Sequence, residues 1–224
     1  MNDSITMSPL APLNLPEHSH VQQLFNQMSQ LVGNVSHEPS TLAQFKQKPA
    51  QSNGFDDCLK LGTLASLEGN IEAIHTNYQQ AIAVSSAQHA YTLMLYANCL
   101  TPFGLFSHAA NLMHQAYDFY NNLEFLAATI HCYGLAGRFH QVGELLKMWD
   151  KMSPTTTHQF AQLSENIIEF MDAQQVSDDD LQRLIEIAMS ILRQNQLTVV
   201  PESIEIDLYA FDSFRVVSLR NTPI

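Results

Sequence analysis

Ten histidines, three cysteines and twenty-two carboxylates are the side chains of this chain that could bind a metal or move protons. Their spacing argues against most of that chemistry. The chain has no His-Glu-x-x-His, no Cys-x-x-Cys and no aspartate-rich calcium loop. His108 and His114 are six residues apart, about 600° of helical rotation, so they point to opposite sides. His131 and Cys132 are neighbours and cannot share one ion on a helix. There is no Gly-x-Ser-x-Gly elbow and no glycine-rich phosphate loop, and the cysteines lack a recognisable nucleophile setting. The carboxylate pairs Asp56-Asp57 and Asp178–Asp180 stand where helices are expected to begin, and capping accounts for them. The expectation is a non-enzyme with no metal and no cofactor.

The elements that would position any functional side chain are legible in a repeat. Gly69, Gly104 and Gly137 lie 35 and 33 residues apart, and each opens a similar stretch. A period of about 34 residues marks helix–turn–helix arrays. Counting from those glycines, a small residue in the first helix falls on Gly62, Ala97 and then Ile130. The second helix places Ile74, Ala109 and Val142 early, and Tyr78, Met113 and Leu146 four residues on. Ala81, Ala116 and Trp149 come next. This pattern resembles the tetratricopeptide repeat family over about 100 residues, and departs most in the third unit, where a large side chain would force the helices apart.

The fold class expected is therefore mainly α: stacked antiparallel helical hairpins of TPR-like solenoid type, with a small C-terminal α/β element. The helix pairs are placed at 55–68 with 71–85, 88–101 with 105–119, and 121–136 with 139–151. Residues 1–54 hold five of the nine prolines and are expected to be a flexible arm with one short amphipathic helix at 20–32. That helix either caps the repeats or occupies their groove. Residues 154–224 should form helices at 157–173 and from Asp178 to Gln194, then two strands. The last helix is expected to begin at a Ser177 cap and to bury Leu181, Leu184, Ile185, Ala188, Ile191 and Leu192. Alternation of Ile204, Ile206 and Leu208 with acids marks the first strand, and 214–219 the second.

Ten bases against twenty-two acids give a net charge of −12, which repels nucleic acid and anionic membranes and suits a basic partner. No apolar run reaches the ~20 residues that span a bilayer, no secretory signal is visible, and Cys58, Cys99 and Cys132 are expected to be buried reduced thiols of a cytoplasmic protein. The family resemblance implies a concave surface that binds a protein or peptide. It carries over to Asp56, Leu59 and Thr63, then Tyr91, Met94, Asn98 and Thr101, then Glu124 and His131. The expected function is a non-enzymatic adaptor or chaperone that holds a peptide in that groove. Its rivals are an acidic neutraliser of a basic toxin or effector, and a structural subunit that forms homo-oligomers through residues 197–224.

Overall fold

The computed structural model describes residues 54–84 and 89–199, together with the backbone of two strands, 204–211 and 214–221. The arm 1–53, including the helix expected at 20–32, lies outside the described residues. The described chain is mainly helical, and its helices pack as hairpin-like neighbours. Contacts group it into two compact units, one ending at Leu100 and the other beginning at Thr101. The division falls inside the span 55–153 that the repeat pattern reads as one run. Each helix expected in that span is present within two residues of its expected ends.

The first unit contains α1 (Phe55–Leu67), α2 (Ile71–Val84) and α3 (His89–Leu100). α1 and α2 form a hairpin whose turn is set by Gly69 at φ 73°, a left-handed conformation that favours glycine. Asn70 N donates to Ala65 O at 2.8 Å and Gly69 N to Ser66 O at 3.1 Å, which closes the end of α1. The helices then meet at Gly62, where an added Cβ would lie 2.6 Å from the Tyr78 ring. Tyr78 is fully buried and ties the unit together. Its ring stacks on Tyr96 of α3 at 5.1 Å, and its hydroxyl lies 3.4 Å from Thr63 Oγ1 and 3.3 Å from Cys99 Sγ. A ring nitrogen of His75 shares a hydrogen bond with the Tyr96 hydroxyl. α3 is apolar around most of its circumference and is correspondingly buried.

The second unit starts with a 3-10 turn at Thr101–Phe103 and contains α4 (Phe106–Tyr120), α5 (Leu123–Leu135), α6 (Phe139–Met152), α7 (Ala161–Gln174) and α8 (Asp178–Gln194). α4 packs on α5, α5 on α6, and α6 on α7 and α8. Gly137, at φ 77°, ends α5 with the same two backbone bonds that Gly69 makes: Gly137 N to Gly134 O and Arg138 N to Tyr133 O. The slots counted from the repeat are core positions in both units. Gly62, Ile74, Tyr78, Ala81, Ala97, Ala109, Met113, Ala116, Ile130, Val142 and Leu146 are all buried. Trp149 departs: it is half-buried, reaching past α6 to donate from Nε1 to Thr156 O at 2.7 Å.

α8 lies across two repeat corners. An added Cβ at Gly104 would meet Met189 at 2.6 Å, and one at Gly137 would meet Ile185 at 2.7 Å. The helix therefore rests on both turns through Leu181, Ile185 and Met189, its buried residues. This corrects the expected face: Leu184 and Ile191 are exposed, while Met189 points inward. A second correction concerns α7, which begins at Ala161 because His158 and Phe160 form a preceding turn. Beyond α8, strands β1 (Ile204–Phe211) and β2 (Phe214–Asn221) pair antiparallel, from Ile204 opposite Asn221 to Phe211 opposite Phe214.

Candidate partner-binding site

The nine residues assigned to a groove divide between the two units. In the first, Asp56 is half-buried in the first turn of α1, whereas Leu59 and Thr63 are buried. Thr63 turns inward because its hydroxyl donates to Leu59 O at 2.8 Å and meets the Tyr78 hydroxyl. On α3, Tyr91 and Asn98 are half-buried but Met94 has no exposed surface. In the second unit Thr101 and Glu124 are half-buried, and His131 is buried. Leu59, Thr63, Met94 and His131 are therefore core side chains rather than groove contacts. Asp56, Tyr91, Asn98, Thr101 and Glu124 remain partly accessible.

His131 belongs to an interior cluster with His158, Phe160 and Trp149. Its ring centroid lies 5.9 Å from that of Phe160, and His158 stacks on Phe160 at 5.7 Å while meeting Trp149 edge-on at 4.6 Å. His158 Nδ1 accepts from Phe160 N at 3.1 Å. His131 Nδ1 and Ser164 Oγ have no hydrogen-bond partner among the described residues. Burial, reinforced by the neighbouring His158, pushes His131 down to about 4, so near neutrality it is an uncharged core imidazole. Burial also pushes the Cys99 thiol up to about 11 and the Cys132 thiol up to about 12, which leaves both poor nucleophiles. The described residues contain no group of three His, Cys, Asp or Glu side chains that could hold a metal ion. None of their helices is long and apolar enough to cross a membrane.

α8 caps the start of α6 and bonds to the start of α4. The residues just before α4 and α6 are Leu105 and Arg138, and neither makes a side-chain cap. The first amides of a helix need acceptors, and its N-terminus favours negative charge. Asp178 meets that need at α6: Oδ1 accepts from His140 N at 3.0 Å and Oδ2 from Gln141 N at 3.2 Å. Glu186, eight residues or about 12 Å of helix further on, accepts from Ser107 Oγ of α4 at 2.7 Å. That bond holds its carboxyl below the usual range. Ser177 and Asp180 close the capping box expected for α8 itself.

A second apolar face of α8 is exposed among the described residues. Leu184, Ile187 and Ile191 are 51%, 52% and 53% exposed, and their spacing places them on one stripe. Leu197 beyond the helix is also exposed. Apolar positions on α8 outnumber what one buried face can hold, and that excess was the available signal in the sequence. The same end of the molecule carries exposed carboxylates: the side chains of Asp172 on α7 and Asp179 on α8 are 69% and 81% exposed, and Asp180 and Glu186 of α8 are exposed. Arg183 is an exposed base on the same helix. No protein-family model, no curated protein and no solved structure matches the chain.

Proposed function

We propose that the protein is a non-enzymatic helical scaffold, an adaptor or chaperone of TPR-like solenoid type, that binds a protein or peptide partner. The observation that carries this reading is the stripe Leu184, Ile187 and Ile191, exposed among the described residues on a helix that also carries the exposed acids Asp179, Asp180 and Glu186. Exposed contiguous apolar surface rimmed by polar groups is characteristic of interaction sites. An amphipathic helix with basic flanks complements it, burying its apolar face on the stripe while its bases meet the exposed acids at the start of α8, Asp179 and Asp180. Of the residues expected to line a groove, Asp56, Tyr91 and Asn98 in the first unit and Thr101 and Glu124 in the second keep accessible surface. The net charge of −12 favours the same basic partner, including a basic toxin or effector that the protein would neutralise.

A photo-cross-linking side chain at Ile187, with a control at exposed Thr155, tests the reading in cells of the native host. The expected result is a discrete heterologous adduct from Ile187 that is absent from Thr155 and fades at moderate salt. Equal labelling from both positions, or none from Ile187, refutes it. A second reading, self-assembly, is favoured by the two-stranded sheet. Each eight-residue strand has one neighbour, so an edge stays open for another copy among the described residues. Sedimentation of a chain ending at Ser203 decides it, since an unchanged oligomeric state excludes the strands as the interface.

A further inference from the structure

The corner between α7 and α8 is attached to the start of α6 by the two backbone amides that Asp178 accepts and by one imidazole. His140 Nδ1 lies 2.9 Å from Asp178 Oδ1, and His140 Nε2 lies 3.1 Å from Asp172 Oδ1. Asp172 is in the last turn of α7 and Asp178 is the first residue of α8. An ionised carboxylate only accepts hydrogen bonds, so both ring nitrogens must carry protons for both contacts to form. The geometry is thus that of an imidazolium. A neutral ring has one N–H and can serve only one of the two carboxylates. The carboxylates sit on opposite edges of the ring and do not converge on a common point, which sets the arrangement apart from a metal site.

We propose that His140 is a protonation-operated clasp: charged, it pins the α7–α8 corner to α6, and neutral, it lets that corner and the acidic end of α8 move. Losing the charge would leave Asp172 and Asp178 facing each other across a half-satisfied ring. Other charges stand near it. Arg138, just before α6, lies 3.7 Å from Asp179, and Glu144, one turn along α6, is paired with Lys147 at 2.7 Å. From α8 there is Asp180, occupied by Ser177, and Glu186, occupied by Ser107 and Gln182. The hydrogen bonds to Asp172 and then to Asp178 raise the ring above the ordinary histidine range. The sign follows: the clasp is fully present below about pH 6.5 and is lost as pH rises through the raised value. The ring is 39% exposed, so solvent screening keeps the effect modest. The clasp stands independently of the scaffold reading.

Two measurements on the full chain test it together. The His140 ring carbon shift, followed by NMR from about pH 5.5 to 8.5, should titrate with a midpoint above the ~6.5 of a free histidine. Asp172→Asn and Asp178→Asn should each lower that midpoint. Hydrogen exchange at the His140 and Gln141 amides and through residues 175–182, corrected for intrinsic pH dependence, should quicken by about threefold across the titration, the size of one screened ion pair. His140→Gln should show the faster exchange at every pH. A midpoint at or below the free value, or an identical pH response in His140→Gln, overturns the proposal.

Discussion

The buried imidazole of His131 makes a prediction whose size can be worked out. On unfolding, its ring returns to an ordinary value near 6.5, while in the fold it is pushed down to about 4. Below about pH 6.5 the unfolded chain therefore binds a proton that the folded chain refuses, and stability falls as pH falls toward 4. At about pH 5 the difference is roughly 2 kcal/mol, against a few tenths or less at about pH 7. Replacing His131 with leucine removes the titration and also the partnerless Nδ1. The variant should match or exceed the parent at neutral pH and gain on it by roughly 4–8 °C in Tm near pH 5. Taking the difference between the two proteins cancels what other groups contribute, including His140, whose effect has the opposite sign. The chain has one tryptophan, Trp149, and it lies against His158 in the same cluster, so intrinsic fluorescence follows unfolding at that place. A stability gap that stays constant between about pH 7 and pH 5 would refute the claim that His131 is held neutral by burial.

Met94→Ala should destabilise by about 2–5 kcal/mol, because the side chain is fully buried. Tyr91→Ala, at a half-buried position, should cost less, and urea midpoints of the two variants measure the contrast. Gly62→Ala should destabilise by about 1–3 kcal/mol despite the better helix propensity of alanine, since its Cβ must displace the Tyr78 ring. A gain in the denaturation midpoint would show that the helices can separate at no cost. Ser177→Ala should lose about 1 kcal/mol and loosen hydrogen exchange in the first turn of α8, by breaking the capping box.

What the sequence made legible was local. The glycines at 69, 104 and 137 have left-handed backbones, and a helix corner that needs this conformation favours that residue. Ser177 with Asp180 three residues later is a cap whose partners lie within one turn. Small and large residues in the repeat slots announced a helical core because their spacing follows the helix itself. What stayed hidden depended on distant partners. Leu59, Thr63, Met94 and His131 share helices with accessible residues, and only the packing of neighbouring helices settles which of them face inward. The face of α8 was misjudged because apolar residues surround more than half of it, so periodicity alone could not choose between Ile191 and Met189. The cap that Asp178 provides for α6 and the side-chain bond from Ser107 of α4 to Glu186 act across 38 and 79 residues of chain, beyond any local motif.

The far end of α8 has a consequence for how the second unit is closed. Arg193 donates to Phe103 O at 2.8 Å, and Val199 N donates to Pro102 O at 2.7 Å. The path that leaves Pro102 thus returns to it after five helices, like a belt fastened at its own buckle. Taken as a separate segment, residues 102–199 would have ends near enough to be joined by a few residues, with new ends opened elsewhere. A circular permutant cut at the exposed Thr155–Thr157 turn would keep every helix intact while exchanging which of them is made first.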